Sequence, residues 1–154
     1  MDRTTFLQSI LGEGGYYCVA GIKPGNPVIH KYYDSVDALL VTADDLARNG
    51  KNAYFALGTM VDPKAGRKQG NVGQMRSLFL DIDCGGNHAN TTKYATPEAA
   101  LGSLKTFCKT LGLPRPGMVS SGNGLHVYWP LEEPLDREDR KSTRLNSSHL
   151  GISY

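Results

Sequence analysis

Apolar positions recur along this chain in two rhythms. Between Ser35 and Arg48, the residues Val36, Leu39, Leu40, Ala43, Leu46 and Ala47 fall close to one helical stripe. Asp34 or Ser35 stands where a cap belongs and Gly50 where a helix stops, so the spacing predicts a helix here. On either side, Tyr16 to Ile22 (YYCVAGI) and Asn52 to Leu57 (NAYFAL) are rich in β-formers and predict strands. The stretch Lys23-Pro24-Gly25-Asn26-Pro27 after the first is a turn by composition. A polar loop from Asp62 to Gly73 follows, carrying Lys64, Arg67 and Lys68.

Further on the period becomes two. From Met75 to Asp83 (MRSLFLDID), alternation sets Leu78, Leu80 and Ile82 on one face, expected to be core. Ser77, Phe79, Asp81 and Asp83 fall on the other. Thr96-Pro97-Glu98 then gives a cap, a proline and an acid in the order that opens a helix, with Leu101, Leu104, Phe107, Cys108 and Leu111 as its expected buried stripe. Gly112 and Pro114 end it. Gly117 to Ser120 and Gly124 to Trp129 read as two strands joined by a hairpin-type turn, Ser121-Gly122-Asn123. Strands alternating with helices indicate an α/β or α+β domain with a mixed sheet and flanking helices.

Composition adds little to this. The chain has 154 residues, 40% hydrophobic and 21% charged, which suits one soluble domain. No apolar run approaches the roughly 20 residues of a membrane span, and Met1 to Glu13 lack a basic start followed by an apolar stretch. A cytoplasmic location without a membrane partner is expected. Cys18, Cys84 and Cys108 form no C-x-x-C pair, so buried, reduced thiols are expected; Cys84 with His88 would make half a metal site without a second pair.

From Asp139 the string DRKSTRLNSSHLGISY has no sustained period, and it resembles one reading frame of a widely used sequencing-library adapter nearly residue by residue. Residues 139–154 are therefore expected to be a non-biological tail, and 1–138 the front part of a domain. Removing Arg140, Lys141 and Arg144 from the 17 basic residues, and Asp139 from the 15 acidic ones, leaves 14 of each. Nucleic-acid binding would then need a local patch rather than global charge.

Asp81 and Asp83, two apart on a strand, put two hard oxygen ligands within reach of Mg²⁺ or Mn²⁺. The same pattern also arises as solvated edge carboxylates or as a helix cap. His126 lies opposite the core positions Leu125, Val127 and Trp129, beside Gly122 and Gly124. If its strand shares a sheet with the acidic one, it can reach that site and donate to a phosphate oxygen, helped by turn N–H groups. A hydrogen-bonded structural histidine is the plainer reading. Arg67, Lys68 and Arg76 are candidate phosphate contacts, with a solvated basic loop as the alternative.

LFLDIDCG at Leu78 to Gly85 followed by SSGNGLHVYWPL at Ser120 to Leu131 resembles the archaeo-eukaryotic primase superfamily, in particular the primase-polymerase (RepB-like primase) domains of phages and plasmids. The likeness runs over most of Phe6 to Glu138. It implies a template-directed nucleotidyltransferase acting on NTP or dNTP over single-stranded DNA, with a helicase domain or protein as a possible companion. Asp81 and Asp83 would be metal and catalytic residues of a two-metal site. His126, with Ser121, Gly122, Asn123, Gly124 and Arg76, would hold the nucleotide; Arg67 and Lys68 would touch nucleic acid. The implied fold is an α/β module joined to an RRM-like module, the latter incomplete here. A third acidic motif belongs downstream in that family, so this chain is expected to lack a full metal site and activity. A non-catalytic, replication-initiator-like DNA-binding module and another divalent-metal phosphotransfer enzyme, such as a nuclease, are the alternatives.

Overall fold

The structure is a computed structural model that describes residues 1–85, 93–122 and 124–136. The adapter-like residues 139–154, His88 and Asn123 lie outside the described residues. Within them the chain is mixed α+β: three α-helices, a 3₁₀ turn and two sheets. It divides into two compact units, Met1–Arg76 with residues 132–136, and Ser77–Leu131.

In the first unit, α1 (Arg3–Ile10) precedes β1 (Tyr17–Ile22), β2 (Ile29–Tyr33), α2 (Val36–Arg48), β3 (Asn52–Phe55) and β4 (Gly58–Met60). β1 is central in an antiparallel sheet of order β2-β1-β3. α2 starts at Ser35, whose hydroxyl accepts from the Ala38 N–H, and buries Val36, Leu39, Thr42 and Leu46. It lies so close to β1 that a Cβ at Gly21 would stand 2.6 Å from a Leu46 methyl carbon. The buried Thr42 hydroxyl donates to the Tyr33 hydroxyl at 2.6 Å, which offsets the cost of its burial. α1 is capped by the Asp2 carboxylate and tied to α2 by a two-pronged Arg3–Asp44 ion pair. The polar loop is organised by the buried Asn71, whose amide donates to the carbonyls of Asp62 and Gly66.

β5 (Val72–Asp83) and β7 (Gly124–Asp136) belong to a sheet of order β4-β5-β7-β6, where β6 is Gly117–Ser120. The β4–β5 and β6–β7 pairings are antiparallel, as in the other sheet, rather than the mixed pairing expected. Parallel pairing occurs at one isolated bridge, Cys84–Tyr94.

In the second unit, α3 (Pro97–Leu111) opens on Thr96, whose hydroxyl accepts from the Ala99 N–H, and closes on Gly112 in the left-handed region at φ 64°. Ala100, Leu104 and Cys108 pack with Ile82, Cys84, Val127 and Trp129 in one cluster. Two expectations need correction here. On β5 only Ile82 of the supposed core stripe is buried; Leu78 and Leu80 are exposed, and Ser77, assigned to the polar face, is buried. On α3 the buried row advances in steps of four from Ala100, which leaves Phe107 and Leu111 exposed. All three cysteines are free and buried, as expected. Among the described residues, no helix is long and apolar enough to cross a membrane.

Candidate functional site

The second unit brings together the two sequence motifs. Asp81 and Asp83 are exposed with buried Ile82 between them, as strand alternation requires. β7 neighbours β5, and His126 Nε2 stands 3.7 Å from Asp81 Oδ1. That separation is an electrostatic approach, too long for a direct hydrogen bond. The His126 ring meets Phe79 edge-on at 5.7 Å between centroids, and Phe79 also contacts Tyr128 at 5.2 Å. Thus Asp81, Phe79, His126 and Tyr128 form one group. Tyr128 senses it: burial first, and then the negative charge of Asp81, push its phenol above the usual tyrosine value.

Asp83 has a different partner. Lys93 Nζ lies 3.1 Å from Asp83 Oδ2. The backbone holds the lysine there, because Tyr94 N–H donates to the Asp83 carbonyl at 3.3 Å and Gly85 N–H donates to the Tyr94 carbonyl at 2.8 Å. The parallel Cys84–Tyr94 bridge is what returns the chain to this point. No pattern in the sequence announced Lys93, since its position depends on that non-local bridge. Phe79 and Tyr128 were legible in principle, because alternation had already put them on the faces of Asp81 and His126.

The glycine turn sits directly on the acidic strand. A Cβ at Gly124 would fall 2.0 Å from the Ile82 carbonyl oxygen and 3.1 Å from the Asp83 Cα. β7 can therefore begin there only with glycine. Gly122 has φ 88° and open space around it, so its requirement is conformational. The turn amides are occupied internally: Ser121 N–H donates to the Gly124 carbonyl at 3.0 Å, and Gly122 N–H reaches the Ser120 hydroxyl at 3.5 Å. Help from these two N–H groups for a bound phosphate, expected from sequence, would need the turn to open.

The basic candidates lie elsewhere. Arg76 pairs with Glu13, and its side chain is mostly buried. Arg67 stands 3.5 Å from His30 Nε2 and faces the Cys18 region, where its charge partly offsets the upward push of burial on that thiol. Lys68 is exposed at the start of the 3₁₀ turn. Asp81 and Asp83 are hard-oxygen donors open to solvent and suit Mg²⁺ or Mn²⁺ with water completing the shell. Among the described residues, no three acidic, histidine or cysteine side chains converge to hold a metal.

No protein-family model, curated protein or solved structure matches this chain.

Proposed function

We propose that this chain carries the acidic strand and the histidine strand of a template-directed nucleotidyltransferase of primase-polymerase type, with NTP or dNTP as substrate and single-stranded DNA as template. The observation that supports this most is the 3.7 Å approach of His126 on β7 to Asp81 on β5. It joins the two motifs that carry the resemblance, and Gly124 ties them through backbone contact.

In this reading Asp81 and Asp83 hold the divalent cation through their carboxylate oxygens. When bound, that cation lowers the pKa of an attacking 3′-hydroxyl and neutralises the leaving pyrophosphate. His126, braced by Phe79, donates from its ring to a phosphate oxygen of the nucleotide. Lys93 neutralises Asp83 and would compete with a bound cation for that carboxylate. The third ligand that two-metal chemistry calls for is not among the described residues, so binding steps should outlast turnover in this chain.

The test separates binding from turnover. Mn²⁺ binding to the full chain is followed by electron paramagnetic resonance, and nucleotide binding by competition with a fluorescent dNTP. Asp81→Asn should weaken Mn²⁺ at least tenfold, and His126→Ala should weaken the nucleotide while sparing Mn²⁺. If neither replacement alters either affinity, the two carboxylates are surface groups and a non-catalytic binding module is the better reading.

A further inference from the structure

We propose that the open edge of β6, together with the groove between α3 and β6, is a docking site for an extended peptide that alternates apolar and acidic residues. Among the described residues β6 ends the order β4-β5-β7-β6, and all four of its residues are exposed. An uncovered edge strand presents unpaired peptide groups, which a further strand can complete.

The register says which groups these are. Ser121 N–H bonds to the Gly124 carbonyl, and hydrogen-bonded and non-hydrogen-bonded pairs alternate along an antiparallel ladder. Val119–His126 and Gly117–Tyr128 are then the hydrogen-bonded pairs, so the peptide groups of Met118 and Ser120 point outward. Met118 pairs with the fully buried Val127, which puts its side chain on the face that α3 covers.

That face holds a groove of about 510 Å³, floored by Leu101, Leu104, Cys108 and Met118. Lys105 and Arg115 also line it, no acidic residue does, and neither cation makes an ion pair among the described residues. The Trp129 indole N–H donates to the Pro114 carbonyl at 3.0 Å, which fixes the segment carrying Arg115 before any partner arrives. The open edge selects an extended backbone, the groove selects apolar side chains on one face, and the two cations select carboxylates. A second copy of β6 would bring Gly117, Met118, Val119 and Ser120 and no carboxylate, so complementarity favours a separate acidic segment.

The probe is a fluorescein-labelled heptapeptide alternating valine and glutamate, titrated against the full chain by fluorescence anisotropy. Saturable binding is expected. It should weaken at least tenfold when lysine replaces glutamate in the peptide, when alternate peptide amides are N-methylated in one register, and in the Lys105→Glu/Arg115→Glu variant, whose helix content by circular dichroism should be unchanged. Hydrogen exchange at Met118 and Ser120 should slow with peptide bound. Absence of saturation, or affinity indifferent to charge reversal and methylation, overturns the proposal. So does a dimer blocked by Met118→Pro in a protein that ignores the peptide, which would assign the edge to a second copy.

Discussion

Gly124 and Gly122 look alike in the sequence, yet one answers to space and the other to torsion. Because a Cβ at Gly124 would lie 2.0 Å from the Ile82 oxygen, Gly124→Ala must push β7 off β5. Overpacking of this kind costs about 1–3 kcal/mol, so its urea midpoint should fall well below that of the parent, with His126 resonances displaced in the NMR spectrum. Lys93→Ala removes the cation 3.1 Å from Asp83, and Mn²⁺ affinity should rise several-fold if that carboxylate is a ligand; an unchanged affinity would take Asp83 out of the site. Tyr128 gives a prediction in pH. Its pKa is raised in the folded state from the ordinary 10.0, so the unfolded chain loses this proton first as pH climbs. The contribution is fully present below the unfolded value and is lost as pH rises through the folded one. Tyr128→Phe should therefore flatten the alkaline limb of a stability-against-pH curve measured by denaturant titration. The sequence made Asp81, Asp83 and His126 visible as candidates, because alternation alone separates them from core neighbours. It could not reveal that Arg76 pairs with Glu13 or that Lys93 meets Asp83, since both depend on contacts distant in the chain.

The long periodic elements were legible, and so were the four-residue β3 and β6; α1, β2 and β4 were not. α2 and α3 appeared with their caps, Ser35 and Thr96, because a hydroxyl before a run of helix formers has a local reason to be there. Thr96→Ala should lower stability by about 1 kcal/mol, read as a shift of the urea midpoint. Leu104→Ala opens a hole in the cluster of Ile82, Val127 and Trp129 and should cost about 2–5 kcal/mol. By contrast α1, β2 and β4, of eight, five and three residues, offer too few positions for a period to emerge. β2 in particular reads IHKYY, and its place is set by pairing with β1 rather than by its own pattern. On β5 the expected alternation holds only at Asp81-Ile82-Asp83, where α3 covers Ile82; nothing among the described residues buries Leu78 or Leu80.

At the scale of the whole molecule, both compact units leave large apolar side chains exposed. In Ser77–Leu131 alone, Leu78, Phe79, Leu80, Phe107, Leu111, Met118 and Val119 are all exposed. Leu78 and Leu80, two apart on β5, share one strand face. The Leu78→Lys/Leu80→Lys variant should bind markedly less of an apolar reporter dye than the parent, with its helix signal intact. The clasp beside Asp83 has the opposite character. Gly85 N–H donates to the Tyr94 carbonyl, Tyr94 N–H donates to the Asp83 carbonyl, and Lys93 is anchored on the Asp83 carboxylate, so the chain leaves the acidic strand and returns to it at a fixed point. Asp83 is thus held twice, through its backbone carbonyl and through its carboxylate, so a change that frees the side chain still leaves the end of β5 moored at Tyr94.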